Sequence, residues 1–224
     1  GHDVASEQFE IAPMPALNAI AKDKINDTLT ESATENEVFF TGNNFSIGFN
    51  KNTGTLSSLV YDGTEMLHLH GGFEFDHFRY VENDGPNRTF PNFNYLQNET
   101  FDYTVSSDKK SVTVIASRES RDYCIYTMTY TIYANGVVDV KTDYNVYGNP
   151  QRVGVVTSLA EGLTNVDYYA RGPYENYVDR KSGSFMGRFK TTVDEMEMDY
   201  VKPQTMGNRE DLRFLTFTNE QGIG

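Results

Sequence analysis

Two runs of residues, YCIYTMTYTIY and VVDVKTDYNVY, flank Ala134-Asn135-Gly136 and constrain this chain more than any other feature. Side chains alternate across a β-strand, so Cys124, Tyr126, Met128, Tyr130 and Ile132 fall on one face, and Val138, Val140, Tyr144 and Val146 share a face of the second run. Asn-Gly supplies the positive φ angles of a tight primed turn, which predicts an antiparallel hairpin.

Shorter β-type runs surround the hairpin. EVFFTGNNFSIGFNKNTGTLSSLVYDGTEML, from Glu37, reads as at least three strands punctuated by Gly42, Asn50–Gly54 and Asp62-Gly63. TVSSDKKSVTVIAS gives a turn and a strand, RVGVVTSLAEGLTNVDYYARG two short runs, and LRFLTFT alternates again near the end. Helical periodicity over ten or more residues is absent. Many short strands between Gly, Asn and Asp turns predict an all-β antiparallel sandwich or barrel. Residues 12–36 have two early prolines and no sustained apolar period, which reads as a linker with room for a short helix within Ala16–Lys24. Residues 1–11 alternate at Val4, Phe9 and Ile11, as a strand belonging to some other sheet would.

At 224 residues the chain is long enough for one large domain. Its formal charge of −13 repels phosphate backbones and anionic membrane surfaces, which argues against nucleic acid and membrane partners. An apolar run of membrane-spanning length and a signal-peptide pattern are both absent, so a soluble chain is expected. Cys124 is the only cysteine, excluding an internal disulfide, and it reads as core filler. Asn-X-Ser/Thr triplets at Asn26, Asn44, Asn87 and Asn98 decide nothing about compartment. Fifteen Tyr and fifteen Phe without Trp suit sheets and polar surfaces lined with flat rings, a combination that fits carbohydrate.

Several clusters are candidates for chemistry. His68, His70 and His77 in HLHGGFEFDHF read either as metal ligands or as structural residues, because no third ligand is fixed by spacing. FRYVENDGPN gathers Arg79, Glu82, Asn83 and Asp84 before a Gly-Pro turn, which suits a turn, a cation loop or a sugar-cleft lining. Glycoside cleavage needs two carboxyl groups about one bond, and Glu175 with Asp179, or Glu195 with Glu197, can be nominated. Such pairs are cheap among 32 acidic residues. YYARGPYENYVDRKSG, residues 168–183, is too polar for a core and too aromatic for an idle loop. Its Arg171, Glu175, Asn176, Asp179 and Arg180 either meet sugar hydroxyls or bond to one another and fix the turn. Phosphate-loop and nucleophile-elbow motifs are absent.

The stretch from Tyr168 to Gly224 resembles the small-chain region of the large bacterial β-galactosidases of glycoside hydrolase family 2. The match runs through Gly172, Pro173, Glu175, Asn176, Tyr177, Asp179, Arg180, Tyr200, Pro203, Gln204, Gly207, Asn208 and Arg209. FRYVENDGP is similar to a second family segment through Arg79, Asn83 and Asp84, with Tyr80, Val81 and Glu82 departing from it.

The resemblance implies an antiparallel supersandwich of the galactose-mutarotase type over residues 37–224, incomplete at its C-terminus, after residues 1–11 as the last strand of an immunoglobulin-like domain and a linker at 12–36. It implies that the two catalytic glutamates lie on an upstream TIM-barrel domain outside this chain, so no residue here is catalytic. This chain then acts as an accessory domain that helps shape the rim of a site hydrolysing terminal β-D-galactosides. Arg79, Asn83, Asp84, Arg171, Glu175, Asn176, Asp179, Arg180, Asn208 and Arg209 are the substrate-binding candidates. No cofactor or metal is expected in this segment, while Mg or Na is the candidate cofactor of the parent enzyme. Expected partners are a β-galactoside, the upstream domains and, through an unpaired sheet edge, further copies. The bacterial cytoplasm and periplasm both stay open as compartments. A stand-alone carbohydrate-binding or aldose-epimerase-like module is the alternative, since sugar epimerases share the fold.

Overall fold

A computed structural model describes residues 6–13, 25–69, 71–76, 79, 96–120, 124–147, 152–202 and 204–224. It is all-β and antiparallel, and the chain divides into two compact units, Ala21–Glu161 and Gly1–Ile20 with Gly162–Gly224.

In the first unit, β1 (Thr30–Ala33), β2 (Glu37–Thr41), β3 (Phe45–Asn50), β4 (Thr55–Tyr61) and β5 (Thr64–Glu65) form a five-stranded meander. β6 (Glu74–Asp76) pairs instead with β11 (Gly154–Val156). β7 (Leu96–Val105), β8 (Ser111–Ser120), β9 (Cys124–Tyr133) and β10 (Val138–Val146) form a four-stranded sheet in the order β10-β9-β8-β7. Alternation explains the core. Val38, Phe40, Ile47 and Phe49 point inward from the first sheet, and Val112, Val114, Tyr126, Met128, Tyr130 and Ile132 from the second. The rings of Phe49 and Tyr130 lie 5.1 Å apart at 69°, and those of Phe40 and Tyr103 5.3 Å apart, so the two sheets interlock face to face as a sandwich.

The expected hairpin is β9–β10, in register from Cys124 opposite Val146 to Ile132 opposite Val138. Its turn is not primed. Gly136 has φ +87°, Asn135 does not have positive φ, and the Gly136 N–H donates to Tyr133 O at 2.9 Å. A three-residue loop closes as an ordinary turn followed by a left-handed glycine, whereas primed turns serve two-residue loops. The primed geometry sits at Asp62 (φ 47°) and Gly63 (φ 76°), between β4 and β5. The β9 face is buried as expected, but β10 lies at the sheet edge among the described residues, and Val140 is 38% and Tyr144 54% exposed on their core-side face.

β1 occupies the end of the stretch that reads as linker: four polar and small residues pair with β2 although all are exposed. Hydrogen bonding to a neighbour makes this strand, not an apolar pattern of its own. Residues 6–11 form no strand, and Phe9 and Ile11 are exposed. Instead, the Gln8 side-chain amide bonds to the backbone N–H and C=O of Met186.

In the second unit β12 (Asn165–Gly172) runs between β13 (Phe185–Thr192) and β14 (Phe214–Thr218). One face of β12, through Val166, Tyr168 and Ala170, buries against Phe189, Met196 and Phe217. This small sheet holds the polar segment that follows β12.

Candidate functional site

β12 ends at Gly172, whose peptide bond to Pro173 is cis. The chain then turns, and Glu175 and Asn176 point inward while Tyr174, Val178 and Asp179 stay exposed. Asn176 is fully buried. Its side-chain N–H groups donate to the carbonyls of Arg171 and Tyr174, both at 3.0 Å, and its Oδ1 accepts from the Glu210 N–H at 3.0 Å. Its backbone N–H donates to Asn208 O, and Asn208 Nδ2 donates back to Asn176 O at 2.7 Å. Both amide N–H groups and the amide oxygen are therefore used in tying the end of β12 to residues 208–210.

Glu175 anchors the same two segments by charge. Its side chain is 1% exposed, and its carboxylate accepts from Arg180, from the Tyr200 hydroxyl, from the Gly207 N–H and from the Tyr177 hydroxyl at 3.4 Å. Burial pushes the Glu175 carboxyl up, but the Tyr200 and Gly207 bonds together with the Arg180 charge hold it below the usual value. The group is an enclosed, ionised acceptor. Arg180 lies over the Tyr177 ring at 5.0 Å and also donates to Tyr200 Oη at 3.1 Å.

A second cluster adjoins the first. Arg171 bonds Asp211 and donates to Ser184 O at 2.9 Å, while Lys181 reaches Asp211 at 3.0 Å and Glu210 at 3.2 Å. Bonds from Arg171 and Lys181 keep the Asp211 carboxyl low. Arg209 donates to Gly207 O, Asn208 O and Tyr168 Oη, and the Tyr168 hydroxyl itself donates to Pro173 O at 3.1 Å.

Of the ten residues singled out from sequence, the structure thus joins Arg171, Glu175, Asn176, Arg180, Asn208 and Arg209 in one network. Asp179 is exposed and, among the described residues, makes no side-chain hydrogen bond or ion pair. Arg79 belongs to the other unit, and Asn83 and Asp84 lie outside the described residues. Tyr200 and Gly207 appear in the sequence motif, and Tyr168 and Lys181 in the singled-out stretch 168–183, but none is among the candidates, and Asp211 carries no sequence signal beyond its polarity.

Of the nominated carboxylates Glu175 is buried, whereas Asp179, Glu195 and Glu197 are exposed. Glu175 is engaged by Arg180, and Glu195 accepts from Thr191 Oγ1 and the Thr192 N–H beside exposed Glu197. His68 is exposed with Nδ1 3.2 Å from Leu69 O, whereas His70 and His77 lie outside the described residues. Among the described residues no three His, Cys, Asp or Glu side chains converge. Glu175, Glu210 and Asp211 are each held by cationic, hydroxyl or N–H donors, and of the motif's carboxylates Asp179 alone is exposed without such a donor among the described residues.

Residues 41–224 match the family model described as "Beta galactosidase small chain". Over 244 aligned residues, all of the chain is 30% identical to 22% of a protein named beta-galactosidase from Priestia megaterium (strain DSM 319 / IMG 1521). A beta-galactosidase from Streptococcus thermophilus is 26% identical across 82% of the chain and 19% of its own length. One from Pseudoalteromonas haloplanktis is 23% identical across 97% of the chain and 23% of its own length. The chain spans about a fifth of the length of these relatives.

Proposed function

This chain belongs to the β-galactosidase small-chain family, and from that premise we propose that it is an accessory domain of a glycoside hydrolase acting on terminal β-D-galactosides. The acid and nucleophile that such chemistry requires belong to another part of the parent protein. The observation that carries this reading is the alignment of the whole chain with 22% of a protein named beta-galactosidase.

The geometry supports a positioning role for the polar motif. A general acid must hold a proton near neutral pH, whereas Glu175 is held ionised and surrounded by donors. Glu175, Asn176 and Asn208 fasten the loop after β12, and exposed Asp179 with half-exposed Arg180 is the part of the motif able to offer hydrogen bonds to a sugar at the rim. Arg79, Asn83 and Asp84 are proposed for the same role on their own stretch of chain.

The test compares the parent protein with the 224-residue chain on ortho-nitrophenyl β-D-galactoside. The parent is expected to turn over and the chain alone to be inert. Hydrolysis by the pure chain, or a parent inactive on β-galactosides, overturns the reading.

A further inference from the structure

Among the described residues β10 is an edge strand, and its open side is complementary to itself. The Tyr133 N–H donates to Val137 O at 2.9 Å, which sets the alternation of the β9–β10 ladder. Asp139, Lys141, Asp143 and Asn145 therefore direct their backbone groups toward β9. The N–H and C=O groups of Val138, Val140, Thr142, Tyr144 and Val146 point to the open edge, where, among the described residues, β10 has no second neighbour. The core-side row of the same strand is apolar and incompletely covered, with Val140 38% and Tyr144 54% exposed. Val138 and Val140 also line an apolar cleft of about 290 Å³ with Leu59, Tyr61 and Phe73.

We infer that two copies of this chain pair through β10, antiparallel and centred on Thr142. That register alone overlaps all nine residues of the strand. It sets Val138 opposite Val146 of the second copy and Val140 opposite Tyr144. It also sets Lys141 opposite Asp143 and Asp143 opposite Lys141. Shifting the centre by one residue puts Lys141 opposite Lys141, or Asp143 opposite Asp143, so like charges disfavour the adjacent registers. Thr142 of each copy exchanges N–H···O bonds with its counterpart, because its backbone groups face outward. Within one copy Lys141 and Asp143 pair at 2.6 Å, with side chains 72% and 60% exposed. Pairing copies exchanges the two contacts within the copies, one in each, for two cross-strand ones about a two-fold axis, giving one continuous sheet.

The test is sedimentation equilibrium of the chain at about 0.15 M salt, where charges more than about 8 Å apart are screened. A concentration-dependent dimer is expected. Thr142→Pro suits an edge position whose N–H is not used within the chain, so the variant keeps its fold and loses the dimer. Lys141→Asp sets two carboxylates opposite two others and raises the dimer Kd by roughly ten-fold or more. Lys141→Asp with Asp143→Lys reverses both signs and restores pairing. Circular dichroism melts verify that each variant is folded. A monomer up to about 100 µM, or a dimer indifferent to Thr142→Pro and to the single charge reversal, overturns the inference.

Discussion

Replacing Glu175 by Gln keeps the shape of a side chain that is 1% exposed and removes its charge. The carboxylate has one oxygen toward Arg180 and Tyr200 and the other toward Gly207 and Tyr177. The glutamine amide can keep its oxygen on the Gly207 side and turn its NH₂ to the Tyr200 hydroxyl, which can accept. Arg180, half-exposed, then turns to water. What is lost is chiefly the charge-assisted component, about 2 kcal/mol. Glu175→Ala also abandons the Gly207 N–H and opens a cavity, so it costs about 4 kcal/mol. Urea titration of both variants at pH 7 measures the difference, followed by a signal from the second unit, because two units need not unfold together.

The same residue predicts a pH dependence. The folded-state pKa of Glu175 is lowered from its ordinary 4.5, so the folded state holds that proton less readily than the unfolded one. Its stabilisation is complete above about 4.5 and is lost as pH falls through the lower folded value. The gap between wild type and Glu175→Gln should therefore close in acid. A gap under about 0.5 kcal/mol at neutral pH, or one unchanged from pH 7 to below the folded-state value, would refute the assignment of Glu175 as a charged anchor.

Asn176→Ala leaves the Glu210 N–H and the Arg171 and Tyr174 carbonyls without their partner. It should cost about 2–4 kcal/mol, read as a lowered Tm of the second unit. An unchanged Tm would mean that water or a relaxed loop replaces the amide. Burial pushes the Cys124 thiol up to about 11, so a thiol reagent at pH 8 should label it only after denaturant is added. Rapid labelling of the folded chain would show that β9 is not packed as described.

The strands were legible wherever a residue's burial depends on its nearest neighbours in sequence. The period of two in Cys124–Ile132 identifies the buried face of β9 without reference to any other part of the chain. β1 was not legible, because its four exposed residues become a strand only through β2. Nor was the type of the Tyr133–Val137 turn, since loop length as well as Asn-Gly chemistry selects it.

The polar motif divides in the same way. Its lettering alone identifies the family and marks Glu175, Asn176 and Arg180 as a group, since they lie within six consecutive residues. Whether those groups were free for a ligand or consumed by one another depends on Tyr200, Gly207 and Glu210, which lie 25, 32 and 34 residues away from the groups they bond. Sequence determines which hydrogen-bonding groups the chain carries and which way each strand faces, because both follow from local chemistry and the two-residue pleat. Only the tertiary path of β12, the loop after it and residues 200–211 decides which donor meets which acceptor. A buried carboxylate becomes an anchor when the fold delivers enough donors to keep it charged.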